Sequence, residues 1–194
     1  EFVHLHVHSE YSLLDGAIRC GELVDTVASM GMGAVAITDH GVMYGCEEFY
    51  EKCVAKGIKP IIGCEVYVDP NGMDSRDGKG RNNHLVLWAE DQVGYKNLIK
   101  LVSIANTDGF YYKPRVDHRV LSQHSKGIIA SSACLAGEIP QLLMDGDFDG
   151  AVSRANLYRD IFGEGNFFIE IMYNQLPEQA MANAELIRLA KRCS

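Results

Sequence analysis

None of the six cysteines, at 20, 46, 53, 64, 134 and 193, forms a CxxC pair. That spacing speaks against a zinc ribbon and against a thioredoxin-like redox site. No run approaches the ~18 apolar residues a membrane-spanning helix needs. No basic segment followed by an apolar one stands at the start, so a secretory leader is not expected. Positive charge is scarce: 18 lysines and arginines against 26 aspartates and glutamates leave a net charge of −8. A broad electrostatic footprint for nucleic acid is thereby excluded. A phosphoester stays within reach, because bound cations can invert a local field. Low-complexity segments and internal repeats are absent as well.

What is there is a 194-residue chain, 47% apolar and 23% charged. That is enough for one domain with a sizeable core, and it argues against extensive disorder. Several cysteines lie inside apolar or helical runs, which reads as buried free thiols in a reducing, cytoplasmic compartment. The chain starts at Glu1 rather than at Met and stops at Ser194, directly after a helical run. A piece of a longer protein is the expectation.

Periodicity places strands at Phe2 to Val7, Ala34 to Thr38, Pro60 to Val68, His84 to Ala89, Gly127 to Ser131 and Phe167 to Ile171. Helices are expected at 22–30, 46–55, 91–105, 151–162 and 177–192. A long loop with glycines, Pro70 and mixed charge is expected over 69–83. Strands that alternate with helices predict a parallel sheet with helical crossovers. A barrel lacking its last unit or units is the first reading of this α/β pattern, and an open doubly wound sheet the second.

The ligand-type residues fall mainly at strand ends. His6 and His8 end the first strand on one face, and His4 alternates with them. Asp39 and His40 follow the second strand, either as metal-site groups or as a simple turn. Glu65 lies late in an apolar strand, where a carboxylate needs a cation or a donor. Cys134 follows the fifth strand. In parallel α/β folds, ligands gather outside the carboxyl ends of strands. His84 fits this less well because it opens its strand; a short or curved strand would resolve that. Histidine, carboxylate and thiolate together suit zinc, with manganese or iron at oxygen-rich positions. A shared carboxylate can hold two cations, and such a pair activates water and neutralises a phosphoryl group.

The segments FVHLHVHSEYSLLDG, VAITDHG, IKPIIGCEVYV, NNHLVLWAED, GYKNLIKLVSIA, GFYYKPRVD and SSACLAGEIP resemble the N-terminal PHP (polymerase and histidinol phosphatase) domain of bacterial DNA polymerase III alpha subunits. The resemblance covers essentially all of 1–194. It implies a distorted (βα)7, TIM-like barrel, incomplete at its C-terminal end, with up to three divalent metals (zinc, manganese or iron) at one face. It implies His6 and His8 as ligands of a first metal, and Glu65 as the bridge to a second metal also held by His84 and Cys134. Asp15 and His40 fall to a third. Glu65, His8 and His40 are the residues expected to carry catalysis. Asp39 is expected to orient a ligand imidazole, and His4 to stand beside the site. The family's closing Asp-x-His has no counterpart in this sequence.

The resemblance implies a parent DNA polymerase that uses magnesium at a site outside this segment. Its partners would be primer-template DNA, a sliding clamp and a proofreading subunit, with no membrane. The segment itself would trim a mismatched 3′ end, with Lys113 and Arg115 as phosphate contacts and Tyr111 and Tyr112 stacking a frayed base. The alternatives are a metal-stabilised scaffold that docks a separate proofreading subunit, and a free-standing phosphatase. FYYKPR reads equally as an ordinary loop packing aromatic rings.

Overall fold

Amphipathic spacing decides where the helices form. The apolar residues of CGELVDTVAS recur three and four apart, so a helix buries Cys20, Leu23, Val24 and Val27 on one stripe. The computed structural model describes residues 2–76 and 82–193, and its first helix, α1, spans Cys20–Ser29. Part of the loop expected over 69–83 therefore lies outside the described residues. After α1 come β1 (Ala34–Ile37), α2 (Cys46–Ala55), β2 (Lys59–Val68), β3 (Asn83–Ala89) and α3 (Gln92–Thr107). There follow β4 (Arg115–Val116), α4 (His118–Gln123), β5 (Ile128–Ser131), α5 (Glu138–Met144), α6 (Phe148–Phe162), β6 (Phe167–Phe168) and α7 (Pro177–Cys193). The short β4, α4 and α5 carry too few residues for periodicity to reveal them.

The strands make an open sheet in the order β1-β2-β3-β5-β6, with β4 paired to β2. Helices and strands alternate, as in a distorted barrel that does not close. The expected parallel sheet is corrected in part: β1 and β2 are parallel, but β3 runs antiparallel to both β2 and β5. A main core forms where β2, β3 and β5 meet α3 and the later helices, and a second lies under α1 and α2.

Strand β2 organises the site. Its first four residues pair with β1 and its last six with β3. Gly63 stands at the change of partner, and a Cβ there would lie 2.5 Å from the Leu87 carbonyl oxygen. Only glycine lets the strands approach so closely. Two residues later, Glu65 sits between His40 on one edge and Val86 on the other.

Two expected strands are shorter than periodicity suggested. Residues 2–7 form no regular strand. They run alongside β1 through bonds from Ala36 N–H to the His4 carbonyl and from Thr38 N–H to the Val7 carbonyl. The last strand stops at Phe168, not Ile171. No described helix is long and apolar enough to cross a membrane.

Candidate metal centre

Glu65 is only 1% exposed, in a strand whose other side chains are mostly apolar. Such a carboxylate must be compensated locally, and imidazoles do this. His6 Nε2 lies 2.8 Å and His8 Nε2 3.0 Å from Glu65 Oε2, and His40 Nε2 lies 3.5 Å from the same atom. On the other oxygen, His84 Nδ1 stands 2.7 Å from Oε1. Cys134 Sγ is 3.7 Å from Oε1 and 3.5 Å from His84 Nδ1. The rings of His8 and His40 stack at 4.3 Å between centroids.

Local chain structure puts each group there. Thr38 Oγ1 accepts from Val7 N–H at 2.8 Å, and Trp88 Nε1 donates to the Leu5 carbonyl at 2.7 Å, so the 5–8 segment is pinned from two sides. The segment beyond β1 keeps its pairing with β2: Glu65 N–H donates to the Asp39 carbonyl, and Gly41 N–H to that of Glu65. This lays His40 beside Glu65. The 12–16 turn folds back on Ser9, where a Cβ at Gly16 would lie 1.7 Å from the Ser9 carbonyl oxygen. Asp15 thereby reaches His40, with Oδ2 2.9 Å from Nε2, and Ser12 Oγ donates to its other oxygen at 2.7 Å.

The antiparallel direction of β3 explains His84. Register pairs it with Tyr67, near the end of β2, so the start of β3 and the end of β2 share one end of the sheet. No curved strand is needed. Cys134 arrives from β5, which runs parallel to β2, through a turn that holds Ala133 at φ 58°. A left-handed alanine costs about 1–2 kcal/mol, and such strain concentrates at sites.

The electrostatics follow from this crowding. Burial raises the Glu65 pKa, but bonds from His6, His8 and His84 win and hold it far below the carboxylate range. Burial lowers that of His6, yet its bonds to Glu170 and Glu65 raise it to about 10. Burial also works against His84, which Cys134 and Glu65 raise to about 9. For His40 burial prevails and the pKa falls.

A cation fits this donor set. Three imidazole nitrogens crowd one carboxylate oxygen, more than its lone pairs can serve as hydrogen-bond acceptors. His40 Nδ1 is buried without a partner, while its Nε2 faces the carboxylate oxygens of Asp15 and Glu65. Three groups have ligand atoms within 4.8 Å of one another: His6, His8 and Glu65; His8, Asp15 and His40; His40, Glu65 and His84. They match a PHP-type site able to hold up to three divalent ions.

Two sequence expectations are corrected here. Asp39 accepts from Ser9 N–H at 2.6 Å and Ser9 Oγ at 2.8 Å. It anchors the backbone after His8 and bonds to no ligand imidazole. Burial raises its pKa against the pull of those two bonds. Arg115 is 3% exposed and directs its donors at Asp69 and at the carbonyls of Gly109, Met73 and Ser75. No donor is turned to a phosphate. His4 is exposed and packs edge-on against Phe2, outside the three groups.

Sequence reading missed Glu170. Its Oε1 lies 2.8 Å from His6 Nδ1, while Ser131 Oγ donates to Oε2 and its N–H donates to Ser132 Oγ at 2.9 Å. The signal was the same one that flagged Glu65: a carboxylate inside an apolar run, FFIEI. A carboxylate on the far nitrogen fixes an imidazole's tautomer and angle. Glu170→Ala is therefore expected to weaken metal binding roughly 10- to 100-fold, read by titration against a chelating dye, with the circular dichroism spectrum unchanged.

Beside these groups a cavity of about 300 Å³ is lined by Leu14, Asp15, His40, Tyr67, Asn82, His84 and Lys113. Burial lifts the Tyr67 phenol to about 12, helped by Glu65 and Asp15.

The PHP domain profile matches residues 4–174. The chain is 48% identical over 195 residues to DNA polymerase III subunit alpha of Treponema pallidum, covering 98% of this chain and 17% of that protein. Identity is 44% over 198 residues to the Thermus aquaticus subunit, covering 99% of the chain and 16% of the relative. The chain thus spans well under a fifth of these relatives. A solved structure from Bifidobacterium adolescentis, described as a candidate metal-dependent phosphoesterase, superposes with a TM-score of 0.60 at 15% identity. It covers 98% of this chain and 83% of its own, a likeness of fold alone.

Proposed function

The chain belongs to the PHP domain family, and from that premise we propose that it is a metal-dependent phosphoesterase domain within a replicative DNA polymerase. The reading extends to a 3′→5′ exonuclease that trims a mismatched primer end. One observation carries it: nitrogens from His6, His8, His40 and His84 converge on the two oxygens of the buried Glu65. Zinc, manganese or iron held there would act as a Lewis acid and lower the pKa of a coordinated water.

The chain's own residues set the stage. Glu65 offers one oxygen to the His6 and His8 side and the other to the His84 and Cys134 side, a bridging posture. Asp15 and His40, which form a group with His8, stand at the cavity wall. Burial lowers the His40 pKa, a shift in the direction of the neutral imidazole that binds a metal. Lys113 stands at the same cavity, where it can meet a phosphate. Polymerase activity with magnesium, contacts with primer-template DNA, clamp and proofreading subunit, and a cytoplasmic location belong to this proposal for the whole protein.

The test uses full-length protein and a primer carrying a mismatched 3′ nucleotide. Metal-dependent release of that nucleotide is expected, abolished by a strong chelator and restored by zinc or manganese. Bound metal with no release from any phosphoester would overturn the catalytic reading in favour of a metal-stabilised scaffold.

A further inference from the structure

Glu138 is a second buried carboxylate, and the candidate metal centre does not use it. It is 6% exposed, and both of its oxygens are engaged. Tyr158 Oη donates to Oε2 at 2.7 Å, His118 Nε2 lies 3.0 Å from the same oxygen, and Arg154 Nε lies 3.0 Å from Oε1. These partners come from two other helices, His118 from α4 and Arg154 and Tyr158 from α6. Burial raises the Glu138 pKa, but the bonds from His118 and Tyr158 outweigh it and the pKa falls. Among the described residues Glu138 belongs to none of the three ligand groups. Stability alone is a poor reason for such a network. Ions taken out of water cost about what their attraction returns, and apolar side chains of similar volume often serve as well. What a fully bonded polar network does supply is a unique geometry.

That geometry falls on the turn that presents Cys134. Glu138 is the first residue of α5, and residues 132–137 lead into it from β5. Gly137 N–H donates to the Cys134 carbonyl at 2.8 Å, which closes the turn. His84 N–H donates to the Ala136 carbonyl at 3.0 Å, so the start of β3 leans on the same turn. Cys134 and His84 therefore take their places from one short segment. Its left-handed Ala133 is strained, and such strain persists only where the surroundings over-determine it. Glu138 fastens the far end of that segment to α4 and α6.

We propose that Glu138, gripped by His118, Arg154 and Tyr158, is a positioning residue that holds the Cys134 turn so that Cys134 and His84 can share an ion with Glu65. This rests on the metal-centre reading, and its test separates the two. Full-length protein is titrated with cobalt(II), and the thiolate-to-cobalt absorption band in the near ultraviolet is recorded. Cys134→Ser should remove that residue's share of the band. Glu138→Ala is expected to lose at least about half of the same share and to weaken cobalt binding there roughly tenfold, as loss of an outer partner does. Tyr158→Phe, which removes one hydroxyl and keeps the ring, should lose a smaller share while melting close to the parent; it decides alone if Glu138→Ala does not fold. Val27→Ala, in the second core under α1 and α2, lowers stability away from this turn and should keep the full band. A full band and unchanged cobalt affinity in Glu138→Ala and Tyr158→Phe, or an equal loss in Val27→Ala, overturns the inference and leaves the ligand set standing. Cobalt bound with a band that Cys134→Ser does not alter would instead remove Cys134 from the ligands, and this inference with it.

Discussion

Glu65→Ala is expected to leave at most one ion per chain by elemental analysis and to reduce phosphodiester cleavage by at least about a thousandfold. Each of the three residue groups is built around Glu65 or around a histidine that touches it. Removing its carboxylate takes the shared oxygen from the first group and from the third, and leaves His8, Asp15 and His40 alone with a complete trio. Loss of one cation from a pair forfeits several kcal/mol of charge stabilisation on an attacked phosphoryl group, and about 4 kcal/mol is a factor of a thousand in rate. Glu65→Gln is the sharper variant. It keeps the shape and one oxygen but gives up the charge that the histidines surround: the metal-free glutamine form should melt below the parent yet above the alanine form, and still fail to retain two ions. Retention of two or more ions by either variant would remove Glu65 from its assigned role.

Arg115→Ala is expected to destabilise the domain by about 3–5 kcal/mol, measured by urea denaturation of metal-free protein. Arg115 and Asp69 are 3% and 2% exposed and form a buried ion pair. Breaking such a pair from one side costs about this much, because it leaves the other charge buried and uncompensated. The loss extends past Asp69. Arg115 Nη2 also donates to the carbonyls of Met73 at 2.8 Å and Ser75 at 2.9 Å, and Nε to that of Gly109 at 3.1 Å. These bonds tie the turn after β2 to the end of α3. Arg115→Lys cannot fill them all, since an ammonium lacks the planar fork, and should recover only part of the loss. A binding role at the cavity would predict the reverse: weak effects on stability and a large one on substrate affinity.

The two basic residues of YYKPR show where sequence reading stops. Spacing alone makes Lys113 and Arg115 equivalent, two residues apart and both attractive to phosphate. The fold separates them: Lys113 reaches the cavity, and Arg115 is consumed by Asp69 and three carbonyls. The same limit hid Glu170. Its run carries the same buried-carboxylate signal as Glu65, yet no local feature says that it ends up behind His6, 164 residues away in sequence.

Much is legible in the sequence itself. The helix at 46–55 and the ends of β2, β3 and α7 follow from apolar periodicity within a residue or so, because burial of one face is a local demand on composition. The candidate ligands His6, His8, Asp15, His40, Glu65, His84 and Cys134 could be named from residue type and resemblance. What tertiary structure alone decided was direction and partnership. Strand β3 runs against β2, which brings His84 to the site from the start of its strand. Asp39 turns to Ser9 instead of an imidazole. Periodicity records which face of an element is buried, but it carries no sign for strand direction and no label for the group across a sheet. Those are settled when distant segments compete for the same few hydrogen-bonding partners.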